Sequence, residues 1–528
     1  MMSQNWWDGA VIYQIYPRSF RDSNADGIGD LPGITDKLTS IADLGVDCIW
    51  LSPFFKSPFK DFGYDVSDYR AVDPVFGTDE DFDMLLDKAH SLGLKVILDQ
   101  VLCHCSAEHK WFEESRQDRT NPKADWFVWS DPKPDGTEPN NWLSFFGGRA
   151  WTWDAQRRQY YFHNFLTSQP NLNHQNPEVR AAVIAECQYW LDKGVDGFRL
   201  DAIHTLAFDP EFRDNDPRGA EEAGGDDSRV AQPFGMQYIQ SRQIDQPWGE
   251  VFLKELRTLG DSYDEPRFLM GELGGEDGMA MIDRFTQPGL LHSCYNFDLL
   301  AWDGQTAEEL EGVLRRVTDN LDGHQITFAT SNHDVPRISS RQVKRLDLQP
   351  RDTDRVAMMM IELELALHGS VCIYQGEELG LEDADRLTFE DLQDPWGIEF
   401  WPTFKGRDTC RTPIPWNANE PHAGFSLAEK PWLPVDERHL SRSMDQQMAD
   451  PTSFRAQVKR RIAQRKAGEI LMGGDLEVLD SPEDMVVFKR KSGNKIQDMI
   501  FNFGTKTASF DGIDVEGLSS IFTSPVPE

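Results

Sequence analysis

One design recurs three times between Ile34 and Asp201: an amphipathic helix, a glycine that stops it, and a short apolar strand with a polar end. In the first copy Ile34, Leu38 and Ile41 recur at helical spacing, Gly45 follows, and Val46 to Leu51 reads as a buried strand. In the second, Thr78 stands where an N-cap belongs, Phe82, Leu85, Leu86 and Ala89 share a face, Gly93 stops the helix and Val96 to Asp99 follows. In the third, Pro177 suits the first helical turn, Val179, Val183, Cys187, Trp190 and Leu191 form the stripe, Gly194 closes it, and Gly197 to Asp201 follows. Periodicity, caps and terminal glycines agree at each step. Such units bury their apolar strands only in a parallel sheet covered by the helices. Five further segments read as strands: Val11 to Tyr16, Phe268 to Gly271, Cys294 to Phe297, Ile326 to Thr330 and Val371 to Tyr374. Eight strands favour a closed (β/α)8 TIM barrel, an α/β fold, over an open doubly wound sheet.

The spacing of the repeat also marks an insertion. Gly45 and Gly93 lie 48 residues apart, but Gly93 and Gly194 lie 101 apart. The surplus falls in a stretch rich in Trp, Asn, Asp and Pro, so residues 105–175 are expected to form an inserted domain after the third strand. The barrel then comprises residues 1–104 and 176–466, with an irregular stretch at about 380–450 before a basic helix near Phe454 to Lys466. In residues 467–528, Met485 to Lys489 and Met499 to Phe503 flank a Ser492-Gly493-Asn494 turn, a hairpin signal that predicts a C-terminal antiparallel β-domain.

Charge narrows the partners. Lys and Arg total 53 against 89 Asp and Glu, a net charge of −36. Such a surface repels phosphate backbones and anionic lipid, so no nucleic acid or membrane partner is expected and a neutral substrate fits better. No apolar run approaches the roughly 20 residues that cross a bilayer. Met1 to Ile15 lacks the basic and apolar regions of a secretory signal. Seven cysteines, scattered and without a CxxC pair, suit neither a disulfide framework nor a zinc site. A cytoplasmic monomer or small homo-oligomer without an organic cofactor is the expectation.

The polar ends of the strands hold the candidate chemistry. Arg199 and Asp201, two apart on one strand, project to the same face. An arginine beside a carboxylate keeps it ionised, as a nucleophile requires; a structural ion pair has the same pattern. Glu272 follows Phe268 to Gly271, Asn332-His333-Asp334 follow Phe328 to Thr330, and Asp99 ends the third strand with His104 just beyond. Carboxylates gathered at one mouth raise the pKa of one of them and supply a general acid, which suits glycoside cleavage; the same inventory suits a metal-dependent hydrolase.

Four segments carry a family resemblance. Asp99 to His104, Gly197 to Asp201, Gly271-Glu272 and Asn332 to Asp334 occur in the order of the signature regions of glycoside hydrolase family 13, with Gln169-Pro-Asn-Leu-Asn173 as a fifth. With Trp6-Trp7 and Val11 to Pro17, the chain resembles the oligo-1,6-glucosidase/α-glucosidase branch up to about residue 470. The resemblance implies Asp201 as nucleophile, Glu272 as acid/base and Asp334 as the carboxylate that holds the sugar's 2- and 3-hydroxyls. It implies that Arg199, His104 and His333 orient the nucleophile and bind sugar, and that Asp61 and Tyr64 grip the terminal glucose. It further implies that Phe146 and Phe165 pack against that glucose and that Arg407 closes the pocket. The implied activity is a retaining, exo-acting α-glucosidase on short neutral oligosaccharides or disaccharides such as maltose or sucrose, with transfer to acceptor sugars or alcohols. Oligo-1,6-glucosidase, dextran glucosidase and sucrose isomerase share the scaffold. A scaffold that has lost catalysis is opposed by the three retained carboxylates. Ala202, where α-1,6-preferring members carry valine, and Asn171, where they carry aspartate, lean the expectation to α-1,4 links. Cys103 stands where amylases have a calcium-ligating asparagine, which puts that ion site in doubt.

A separate loop alternates oxygen ligands. Asp22, Asn24, Asp26 and Asp30 occupy positions 1, 3, 5 and 9 of an EF-hand-like pattern with Gly27 at 6 and the Ile28 carbonyl at 7; Gly33 replaces the usual glutamate at 12. A plain Asx-rich turn has the same composition. The branch of the family binds calcium or magnesium at the matching loop, so a structural ion, Ca2+ or Mg2+, is the expectation.

Overall fold

The computed structural model describes residues 5–218, 238–274, 278–302, 306–320, 325–349 and 352–527. Met1 to Gln4, the start of the stretch that lacks a secretory signal's features, lie outside them.

Eight parallel strands close a barrel: β1 Val11–Ile15, β2 Cys48–Leu51, β3 Lys95–Gln100, β4 Gly197–Leu200, β5 Phe268–Glu272, β6 Ser293–Tyr295, β7 Ile326–Phe328 and β8 Ser370–Tyr374. Each pairs with its sequence neighbours and β8 closes on β1, with Val11 opposite Val371. The alternation of side chains along each strand divides the core in two. Ile12, Trp50, Ile97, Met270, Tyr295 and Cys372 fill the barrel interior, whereas Val11, Tyr13, Ile49, Leu51, Val96 and Leu98 pack outward under the helices.

The predicted helix stops are observed. Helix α1 (Leu31–Leu44) starts at an Asp30 cap and ends at Gly45, whose φ of 96° only glycine adopts without strain. Helix α2 (Asp79–Ser91) opens on a reciprocal capping box between Thr78 and Asp81, and α3 (Pro177–Asp192) on Asn176. Five expected strands are shorter than their runs: Val46 and Asp47 precede β2, Asp201 lies beyond β4, and three others stop early. Pro17 turns the chain after Ile15, Asn296 caps a helix at Phe297–Leu300, and the Asn332 side chain folds back on the backbone of Asp334 and Val335 after β7.

Between β3 and α3 lie a short helix and an antiparallel sheet of Trp129–Ser130, Gln159–Phe162 and Trp151–Asp154. The backbone bridge of His104 to Asn171 ties this segment to the barrel mouth, and that of Phe127 to Leu172 holds it together internally. Residues 380–450 carry only short helical turns. Helix α4 (Phe454–Ala467) returns to the barrel and a further short helix precedes the tail, an antiparallel sheet of β9 Asp475–Leu479, β10 Met485–Ser492, β11 Lys495–Asn502 and β12 Ser519–Phe522. The β10–β11 turn is two residues long and uses Gly493 at φ 58°. Among the described residues no helix is long and apolar enough to cross a membrane.

Arg465 and Arg490 are fully buried in the floor between barrel and tail. Arg465 donates to the carbonyls of Gly9, Leu365, Leu367 and Gly369, and Arg490 to those of Ala366, Leu471, Gly474 and Asp475. Both guanidiniums satisfy carbonyls orphaned at the end of the helix Thr353–Ala366.

Candidate active site

The C-terminal ends of the barrel strands bring the predicted carboxylates together. Strands β4 and β5 approach closely because residue 197 has no side chain; a Cβ there would lie 2.1 Å from the Phe268 carbonyl oxygen. That approach puts Arg199 and Asp201 beside Glu272. Arg199, wholly buried, places Nη1 2.9 Å from Asp99 Oδ1 and 2.8 Å from Asp201 Oδ1, and Nη2 2.6 Å from Glu272 Oε1. One cation therefore serves three carboxyls. Asp99 also accepts from Trp50 Nε1 at 3.1 Å and from the Tyr64 hydroxyl at 3.0 Å. Glu272 Oε2 accepts the Ala202 N–H at 2.9 Å.

Burial dominates the electrostatics. It lifts Asp99 to about 6, Asp201 to about 7 and Glu272 to about 8, with Arg199 opposing the rise in each. Of the three, Glu272 is raised highest and so keeps its proton longest. Asp334 behaves oppositely. Its burial is outweighed by His333, Arg407 and Arg411, which hold its carboxyl well below the usual range. Burial lowers His104 to about 4 and His333 to about 3, so both imidazoles are neutral at pH 7.

A second arginine organises the other wall. Arg407 contacts Asp61 Oδ1 at 2.9 Å, Asp394 Oδ1 at 2.8 Å and Asp334 Oδ1 at 3.2 Å. Its guanidinium lies 5.3 Å from the ring centre of Phe146 and 5.8 Å from that of Trp396. Arg411 adds a 2.8 Å contact to Asp334. Tyr64 lies parallel to His333 with centroids 5.4 Å apart, and its hydroxyl is 2.5 Å from His333 Nε2. His104 is held at the Tyr64 carbonyl, 3.0 Å away, and packs against Phe165. The inserted segment thus reaches the barrel mouth through Phe146, Phe165 and Gln169, whose amide donates to Asp61.

All twelve residues expected to act on or hold sugar line this one region. Asp394, Arg411 and Trp396 join them, and sequence reasoning missed all three. Arg411 sits four residues after Arg407, a spacing that offered a signal. Asp394 lies in the irregular stretch, where its side chain caps the helix Pro395–Phe400, and nothing local marks it as an ion-pair partner. Asn171 is a tie: it accepts from Asn164 N–H and donates to the Thr205 carbonyl at 3.4 Å, a donation an aspartate cannot make.

The Asp22–Asp30 loop is a succession of side-chain-capped turns. Asp22 accepts from the N–H groups of Asn24, Ala25 and Gly27, Asn24 from Asp26, and Asp26 from Ile28. Asp30 caps α1 through Gly33 N–H and also accepts from Ser23. Among the described residues no three His, Cys, Asp or Glu side chains converge as a metal cage.

The α-amylase catalytic-domain profile matches residues 14–474. The chain is 48% identical over 511 residues to a probable α-glucosidase of Rhizobium meliloti, covering 96% of this chain and 91% of that one. It is 36% identical to an oligo-1,6-glucosidase of Heyndrickxia coagulans, covering 96% and 94%. Among solved structures, an α-glucosyl transfer enzyme superposes with a TM-score of 0.94 at 45% identity over both whole chains. A trehalulose synthase superposes at 0.86 and 30% identity, covering 99% of each chain. A closed barrel whose mouth gathers Asp201, Glu272 and Asp334, matched over most of its length by that profile, makes this chain a glycoside hydrolase of the α-amylase family, family 13.

Proposed function

We propose that the protein is a retaining, exo-acting α-glucosidase that removes terminal non-reducing glucose from short α-glucosides such as maltose and sucrose, preferring α-1,4 links. The observation that carries this reading is the single guanidinium of Arg199 bridging Asp201 and Glu272, which supports the close carboxyl spacing retaining chemistry uses. Asp201 attacks the anomeric carbon while Glu272, the carboxyl that keeps its proton longest, protonates the departing oxygen. The resulting carboxylate of Glu272 then takes a proton from water, or from an acceptor alcohol or sugar, as that oxygen displaces Asp201. Two inversions return the α-configuration. Asp334, kept ionised by its two arginines, accepts the sugar's hydroxyls and favours the cationic transition state.

Exo action is supported by the wall that Arg407 builds with Asp61, Asp394 and Phe146. Transfer is supported by the likeness to an α-glucosyl transfer enzyme. Oligo-1,6-glucosidase, dextran glucosidase or sucrose isomerase activity is the second reading, favoured by two of the comparisons and opposed by the small Ala202 beside the scissile bond. Product analysis with maltose, isomaltose and sucrose in parallel separates them: predominant release of glucose from maltose supports the proposal, and faster turnover of isomaltose or conversion of sucrose to an isomer overturns it.

We further propose that Asp22, Asn24, Asp26, the Ile28 carbonyl and Asp30 hold a structural Ca2+ or Mg2+. The donors are all hard oxygens, which fit either ion, and their turns already fix the loop path. Seven buried cysteines, all unpaired, support a reducing, cytoplasmic setting.

A further inference from the structure

The residue after Asp201 has an unusual backbone. Ala202 sits at φ 41° and ψ 42°, left-handed space that a residue with a Cβ seldom adopts. It persists there because its two polar groups are held from opposite sides. Its N–H donates to Glu272 Oε2 at 2.9 Å. Its carbonyl accepts three donors: Thr205 N–H at 2.9 Å, Thr205 Oγ1 at 2.8 Å and Cys103 Sγ at 3.2 Å. Thr205 and Cys103 are both fully buried, and the Cys103 thiol also lies 3.5 Å from the backbone carbonyl of Asp201. The clasp spans β3, where Cys103 follows the strand, and the turn after β4.

We propose that Thr205 and Cys103 are positioning residues that lock Ala202 in the left-handed conformation and so aim its N–H at Glu272. This rests on Glu272 being the acid/base. The thiol is suited to the task, because burial keeps it protonated and thus a donor to the carbonyl. The N–H it helps to place favours the ionised form of Glu272 and opposes the rise that burial causes. If residue 202 relaxes, that donation is lost and Glu272 holds its proton to higher pH.

The test compares Thr205→Val, Cys103→Ala and Thr205→Ser with wild type, using pH profiles of kcat/KM on maltose and on 4-nitrophenyl α-glucoside. Thr205→Val and Cys103→Ala should each move the alkaline limb upward, by up to about one pH unit. With Glu272 no longer held by that N–H, they should lower turnover of maltose, whose leaving group needs a well-placed acid, by severalfold, and of the nitrophenyl substrate less. Thr205→Ser keeps the hydroxyl and should restore the wild-type limb. Equal losses on both substrates with an unmoved limb would overturn the proposal, and Cys103→Ala alone decides the matter if Thr205→Val does not fold. Glu272→Gln, measured alongside, separates the two ideas. If it keeps full activity on maltose, the acid/base assignment itself fails; if it loses that activity while the clasp variants stay unmoved, only the clasp fails.

Discussion

Arg407 is the side chain whose removal the structure translates most directly into numbers. It is 5% exposed and is the bridging cation between Asp61, Asp394 and Asp334. Arg407→Met keeps volume and removes the charge. Asp334 retains Arg411 at 2.8 Å and His333 at 3.1 Å, and Asp61 retains the Gln169 amide. Among the described residues Asp394 keeps hydrogen bonds only from the N–H groups of Trp396 and residue 407 itself, with the Arg411 charge nearby. The stability loss therefore comes chiefly from a stranded Asp394 carboxylate, and breaking such a buried pair costs about 3–5 kcal/mol. The activity loss comes from Asp61 and Asp334, each losing one charge-assisted contact. Taking about 2–3 kcal/mol for the two together gives a roughly 30- to 150-fold fall in kcat/KM.

The two losses separate in a double variant. Asp394→Asn removes the stranded charge, so Arg407→Met with Asp394→Asn should regain most of the melting temperature while activity on maltose stays low. Arg407→Lys should recover little, because a point charge cannot serve three partners that a planar fork reaches. Steady-state kinetics with maltose and thermal melting of the four proteins provide the check. An Arg407→Met enzyme with unchanged melting and kcat/KM within about twofold of wild type would show that Arg407 holds neither the fold nor the pocket.

Three further outcomes follow from the same structure. Glu272 has its folded pKa raised from 4.5 to about 8, so its contribution to stability is fully present below about pH 4.5 and is lost as pH rises through about 8. Glu272→Gln should therefore gain melting temperature over wild type progressively across that window, and a gain independent of pH would contradict it. Arg490→Met removes a donor from four carbonyls at the barrel floor, far in sequence from the site; Gly474 keeps His368 Nδ1 at 3.0 Å, and each carbonyl left without a partner costs about 1–3 kcal/mol. It should lower the melting temperature while leaving kcat/KM of the folded enzyme near wild type. Adding EDTA should lower the melting temperature by releasing an ion from the Asp22–Asp30 loop, and added Ca2+ or Mg2+ should restore it; an unchanged transition argues against the ion.

The barrel was legible because its signal is local. Three strands follow a helix with its own cap and glycine stop, and the other five are runs of buried residues, so eight strands could be read from period and punctuation. The ends were less legible, since Asn296 and Asn332 redirect the chain through side-chain bonds that compete with the ladder. Much of the site was visible as polar residues at strand ends together with the ordered signature segments. Asp394 was invisible because its role depends on Arg407 in a stretch without periodicity. The Ala202 clasp was invisible for another reason: a left-handed alanine has no sequence mark, and its partners come from two different strand ends.

Double displacement by Asp201 and Glu272 underlies every functional statement above. Early-time 1H NMR of 4-nitrophenyl α-glucoside hydrolysis reads it directly, since one glucose is released per event and its anomeric proton is seen before mutarotation. Double displacement predicts α-glucose as the first product, with Asp201→Asn folded and inactive. β-Glucose as the first product would contradict it.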